Sequence, residues 1–255
     1  MGETDFEEYY RSVYKGRWEK LRAALLEETS PVPYSRGLCA PYTLDRASVL
    51  AAESLRLPGE GTVLDACAAP GGKSLVIASA MGAEVRLLAN ELSGERRRRL
   101  VNVLGKHLSG EQRSRVTVSG FDAAALAGKK SERERFSGIL LDAPCSSERH
   151  VLADKKALAQ WTPARPVFLA RRQWALLSSA FLLLKPGYSL VYATCAVSSE
   201  ENDRVAARLM KKYSPGLELD RPDFSEGEET EFGRLILPDR AGGMGPMYVA
   251  RFRKL

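Results

Sequence analysis

Apolar positions recur along this chain with two periods. Over residues 6–28 aromatic and leucine side chains return at helical spacing, which predicts a helical segment closed by a Pro-rich turn at 30–34. A second helix is predicted over 43–55, ended by Pro58 and Gly59. From there the pattern alternates. β-type runs at 62–67, 84–90, 115–122, 138–142 and 189–194 are separated by helix-like stretches, chiefly 72–81, 94–107 and 164–184. Such alternation predicts an α/β fold with a mostly parallel sheet covered on both faces. Runs at 234–238 and 247–253 read as further strands that complete it.

In an open sheet of this kind ligands bind beyond the carboxyl ends of the strands. The first strand runs into Cys67, Ala68, Ala69, Pro70, Gly71, Gly72 and Lys73. Small residues admit a ligand close to the backbone, and the helix N-terminus beyond offers free N–H groups. The spacing is neither a dinucleotide fingerprint nor a phosphate loop, so spacing alone leaves a tight turn and a cofactor loop equally open. Glu91, after the second strand, suits a ribose diol or the first turn of the next helix. Asp122 closes the third strand, where it is placed to meet an exocyclic amine. Asp142 and Cys145 follow the fourth strand and Cys195 the fifth. Each cysteine alone reads more readily as a small buried hydrophobe. Two on one ligand-binding edge, with three carboxylates and a glycine turn, make packing a weaker explanation.

Composition changes this picture little. The chain has 255 residues, enough for one substantial α/β domain with a small extension, and no repeat or low-complexity tract. The apolar stretch at 174–184 is interrupted by Ser178 and Ser179 and is far short of a membrane span. A net charge of +6 favours a polyanionic partner only modestly. Basic residues at 96–99, 129–130, 133, 135, 155–156 and 171–172 suit either phosphate contacts or ordinary solvated helix faces. Four unpaired cysteines and two histidines without ligand spacing predict no metal site and a reducing compartment. The acidic, aromatic N-terminus lacks the order of a secretory signal or transit peptide.

Taken together, the stretch from Asp65 to Lys73, the run Asp142-Ala143-Pro144-Cys145-Ser146, the turn Leu184-Lys185-Pro186-Gly187, and Thr194-Cys195 followed by Glu201-Asn202-Asp203 resemble the motif set of the Sun/Fmu-type (Nol/Nop/Sun) RNA cytosine-5 methyltransferases. The resemblance runs from Tyr42 to the C-terminus. The ending is similar to the short branch that includes mitochondrial ribosomal RNA enzymes. It implies a Rossmann-like class I methyltransferase domain with a seven-stranded sheet over 41–255, preceded by a helical extension over 1–40. It also implies S-adenosyl-L-methionine as cofactor, with Cys67, Ala68, Ala69, Pro70, Gly71, Gly72 and Lys73 around its methionine part. Glu91 is implied at the ribose, Asp122 at the adenine, and Asp142 between cofactor and target base. Cys195 matches the nucleophile and Cys145 the cysteine that assists product release. The chain departs from the family pattern at Ala196, where Ser is usual, and at Tyr188, where Gly is usual.

Thiolate addition to carbon 6 of cytosine moves electron density to carbon 5, which is otherwise a poor nucleophile. Hydrogen bonding or protonation at N3 helps that addition, a role expected of Asp142 with a raised pKa. The base must leave its stack, so single-stranded or looped RNA is the expected substrate, ribosomal ahead of transfer RNA. The expected catalytic unit is a monomer with no membrane association, in the bacterial cytoplasm or the mitochondrial matrix, and a protein partner is one expected source of its RNA specificity. Two other readings compete: an inactive RNA-binding assembly factor, and a DNA cytosine-5 methyltransferase that would attack with Cys145.

Overall fold

A computed structural model describes residues 2–29 and 31–255. The chain opens with α1 (Glu3–Tyr14) and α2 (Trp18–Leu26), joined by one 3-10 turn at Lys15–Arg17. The single helix expected over 6–28 breaks there, where Lys15 takes a left-handed φ of 51° ahead of Gly16. The Pro-rich stretch is not a turn from residue 32 onward, and its first residue, Ser30, lies outside the described residues. Instead β1 (Val32–Tyr34) pairs antiparallel with β2 (Tyr42–Leu44). That pairing takes Thr43 from the expected second helix, so α3 (Arg46–Glu53) starts later. The Asp45 carboxylate caps it by accepting the Ala47 amide at 2.7 Å.

Alternation then proceeds as the pattern predicts. It runs through β3 (Gly61–Asp65), α4 (Gly72–Ala80), β4 (Val85–Asn90), α5 (Gly94–His107), α6 (Gly110–Ser114), β5 (Val116–Ser119) and α7 (Ala123–Leu126). Next come β6 (Ile139–Asp142), α8 (Glu148–Ala153), α9 (Lys155–Ala159), α10 (Ala164–Leu183), β7 (Ser189–Thr194) and α11 (Asp203–Tyr213). The chain ends in β8 (Leu217–Leu219), β9 (Glu228–Glu229), β10 (Arg234–Ile236) and β11 (Met247–Lys254).

The main sheet has nine strands in the order β5-β4-β3-β6-β7-β11-β10-β9, with β8 also on β11. The first five are parallel and β11 is antiparallel to β7. β8 pairs with the last residues of β11 and β10 with the first, so both share one strand position beyond it. Seven positions are thus filled by eight strands, with the two-residue β9 outside them.

Alternating side chains divide each strand between two cores. Val63, Leu87, Leu140, Val191 and Val249 face the cluster under α3, α4 and α5. Their neighbours Leu64, Leu88, Leu141, Tyr192 and Tyr248 face the cluster under α7, α10 and α11. A third cluster joins Phe6, Tyr10, Trp18 and Leu21 of the first two helices to Val151, Leu158 and Trp161 around α8 and α9. Strand order reverses between β4 and β6 on either side of β3, which opens a cleft at the carboxyl ends of β3 and β6.

Candidate active site

Register, more than sequence distance, decides what meets in this cleft. β6 and β7 are parallel neighbours with Asp142 opposite Ala193, and the Ala143 amide donates to the Ala193 carbonyl at 2.8 Å. Both strands therefore end at the same height. The loops that leave them bring Cys145 and Cys195 together with their sulfurs 2.9 Å apart. The Ser147 hydroxyl lies 3.1 Å from the Cys195 sulfur and 3.5 Å from that of Cys145.

The two thiols are not equivalent. Cys195 is lowered from the usual thiol value, chiefly because Cys145 hydrogen-bonds to its sulfur, and burial opposes this. Cys145 is raised well above it by the same contact and by burial. In this arrangement Cys145 is the donor and Cys195 carries the thiolate character on which nucleophilic reactivity depends. Burial pushes the Cys67 thiol up, so it is no rival nucleophile. Cys39 is exposed and lies outside the cleft lined by the other three cysteines.

On the cofactor side, Cys67 to Lys73 leave β3 and turn into α4. Gly71 holds a φ of 121°, and a Cβ there would come within 3.0 Å of Val103, so the turn requires glycine. Asn90 locks three strand ends together: its amide donates to the Ala66 and Phe121 carbonyls, and its carbonyl accepts the Ser119 hydroxyl and the Phe121 amide. Glu91 is buried. Its Oε1 accepts the Ser93 amide at 2.8 Å, and Oε2 lies 3.3 Å from the Arg96 guanidinium without a hydrogen-bond partner among the described residues. Arg96 in turn donates to the Ala69 carbonyl at 2.7 Å.

Asp122 lies just beyond β5 rather than inside the expected strand. It caps α7 through the Ala124 amide and takes Arg172 at 2.6 Å, which holds its carboxyl below the usual range. Arg172, a candidate phosphate contact by sequence, is thus committed to this carboxylate. Asp142 is met by Lys73, whose Nζ donates to Oδ2 at 2.8 Å and to the Ser48 hydroxyl at 3.3 Å. Nearby, burial pushes the Asp65 carboxyl up to about 7 while the Ser74 hydroxyl opposes the rise. A cleft of about 710 Å³ is lined by Cys67, Lys73, Arg96, Asp142, Cys145, Ser147, His150 and Cys195. It therefore holds residues from both the glycine turn and the cysteine pair, with His150 exposed at its rim.

A family model described as 16S rRNA methyltransferase RsmB/F matches residues 52–253, nearly all of this architecture. The chain belongs to the RsmB/F family. It is 36% identical over 220 residues to the ribosomal RNA small subunit methyltransferase F of Vibrio campbellii, which covers 84% of this chain and 45% of the relative. The Escherichia coli protein of the same name is likewise 36% identical over 219 residues, 84% of this chain and 44% of the relative. The chain thus spans less than half the length of these curated relatives. Among solved structures, NSun6 from Pyrococcus horikoshii with SFG aligns at a TM-score of 0.71 and 25% identity, over 86% of this chain and 54% of that one. A methyltransferase homolog from the same archaeon aligns at 0.74 and 21% identity, over 97% and 94%, and shows the shared fold.

Beneath the cysteine pair this RsmB/F-family chain carries a buried polar layer that pattern reasoning missed. Glu148 and Glu201 are fully buried, and both contact the Ser146 hydroxyl. Glu201 also accepts the Ser146 amide at 2.9 Å and the Gln173 side chain at 2.7 Å. Glu148 accepts the Tyr10 hydroxyl and the Val197 amide. Since one hydroxyl has one proton to give, two carboxylates on Ser146 require that one carries a proton itself. Each carboxyl has two donors besides that hydroxyl and burial raises both; the proton sits on Glu201, where the Glu148 charge adds to the rise. Burial, with Glu148 adding to it, pushes Glu201 up to about 7.

This layer has a consequence for stability. A carboxyl that is raised in the fold contributes stability that is complete below its unfolded value, 4.5 for Glu201, and lost as pH rises through about 7. Asp65 acts in the same direction. We expect the urea midpoint to fall between about pH 5 and 8 and to fall less steeply in Glu201→Gln. A midpoint that rises across that range, or an unchanged slope in the variant, contradicts the assignment.

Proposed function

We propose that this chain methylates carbon 5 of cytosine in RNA, using S-adenosylmethionine and Cys195 as the nucleophile. The observation that carries the reading is the cysteine pair at adjacent strand ends, sulfurs 2.9 Å apart, in which the Cys195 thiol is lowered and the Cys145 thiol raised. Small-subunit ribosomal RNA is the proposed substrate, by likeness to the named relatives.

The residues present fit the cofactor. The orphaned Glu91 Oε2 is an acceptor for ribose hydroxyls, and Asp122 Oδ2, with only a 3.4 Å contact to Arg172, has capacity for an adenine amine. The turn from Cys67 through Ala68, Ala69, Pro70, Gly71 and Gly72 to Lys73 leaves backbone open to the methionine part. S-adenosylmethionine supplies the methyl group that carbon 5 takes up.

Cys195 adds to carbon 6 of the base, forming a carbon–sulfur bond and raising electron density at carbon 5. Lys73 and Asp142 offer a donor and an acceptor to the N3 and exocyclic N4 edge of cytosine, so Lys73 shares the role first expected of Asp142. After transfer the carbon 5 proton passes to water, and the carbon 6–sulfur bond breaks with its electron pair returning to Cys195 as thiolate. Cys145, the sulfur beside the adduct, assists this elimination. Incubation with methyl-labelled cofactor and small-subunit ribosomal RNA should place label in 5-methylcytidine. Label in another nucleoside, or transfer to DNA instead of RNA, contradicts the reading.

A further inference from the structure

Ser147 opens the six-residue helix α8 from an N-cap position, where a serine ordinarily turns its hydroxyl back onto the first helical amides. Here it makes no such cap. Its backbone is left-handed, at φ 54° and ψ 61°, a conformation that favours glycine and strains a serine. The strained backbone aims the hydroxyl into the cleft, 3.1 Å from the Cys195 sulfur, with the Cys145 carbonyl as a second, longer acceptor at 3.4 Å.

We propose that Ser147 is a positioning residue for the nucleophile, its hydroxyl donating to the Cys195 sulfur and holding it toward the target base. The proposal rests on Cys195 being the nucleophile. Two features set Ser147 apart from Cys145, the other donor. Its proton is not needed later in the reaction, so it stays a donor through addition and elimination. It also belongs to the short segment between Cys145 and the buried Glu148, so its position is fixed from both sides. The strain at residue 147 is the cost of that placement. The lowered Cys195 thiol has Ser147 among its causes, after Cys145.

Ser147→Ala and Ser147→Gly separate the hydroxyl from the backbone. Alanine removes the hydroxyl and keeps the strain, whereas glycine removes both. The measurement is the pH profile of iodoacetamide alkylation, read at each cysteine by peptide mass spectrometry, with kcat and KM for RNA beside it. The proposal expects the Cys195 midpoint to rise by about one pH unit in both variants, as loss of one charge-assisted hydrogen bond implies. It expects kcat to fall about tenfold at neutral pH with KM unchanged, and only the glycine variant to gain thermal stability. If Ser147→Gly keeps the wild-type profile and kcat, the residue matters only for its backbone and the proposal is overturned. If the wild-type profile shows Cys145 rather than Cys195 as the low-titrating thiol, the nucleophile reading itself fails, and this proposal with it.

Discussion

Cys195→Ala should abolish methyl transfer, lowering the rate by about a thousandfold or more, and should form no protein–RNA adduct. Cys145→Ala should behave differently. It retains the attacking sulfur and loses the group that assists elimination, so addition proceeds and the adduct accumulates as a slow band on a denaturing gel. The asymmetry follows from the hydrogen bond between the sulfurs, in which Cys145 gives its proton and Cys195 receives it. Removing Cys145 also removes the main cause of the lowered Cys195 thiol, so its adduct should form more slowly at neutral pH than at pH 8 to 9. The reverse result, with the adduct in Cys195→Ala, would exchange the two roles and match the attack expected of a DNA cytosine-5 methyltransferase.

The largest effect on stability is expected at Glu201. Glu201→Ala strands the Ser146 amide and one donor of Gln173 in a buried site and opens a cavity between the two cysteine loops. The cost should be about 3 to 5 kcal/mol, read from urea denaturation at pH 6. Glu201→Gln should cost about 1 kcal/mol or less, for a geometric reason. Its carbonyl keeps the bonds from the Ser146 amide and Gln173. Its NH₂ replaces the proton that Glu201 gives to the Ser146 hydroxyl, leaving that hydroxyl free to donate to Glu148. Equal losses in the two variants would show that Glu201 is ionised in the fold and that no proton is shared.

Much of the sheet was legible because strand periodicity and core burial are local. Leu140 and Leu141 alternate between the two cores as a buried parallel strand requires. The positions of Cys145 and Cys195 followed from the ends of two such strands, and adjacency of β6 and β7 turns that inference into contact. What was not legible depends on non-local partners. Nothing near Glu201 in sequence shows that Ser146 lies against it, 55 positions away. Tyr10 reads as one apolar position of a helix face, and only the third core cluster shows its hydroxyl on Glu148. The Arg96 and Arg172 side chains resemble free phosphate contacts in a basic run, but each is held by a carboxylate of the cleft. The early boundary errors had a similar source. β1 and β2 stabilise each other, and neither is marked as a strand by its own three residues.

The central claim is that Cys195, and not Cys145, bonds to the base. RNA carrying 5-fluorocytidine at the target position traps the methylated adduct, because the fluorine at carbon 5 cannot leave as a proton does. Digestion and peptide mass spectrometry of the trapped wild-type protein should find the nucleotide on the peptide that contains Cys195, with the Cys145 peptide unmodified. A nucleotide on Cys145, or full turnover with no trapped cysteine, would contradict the account.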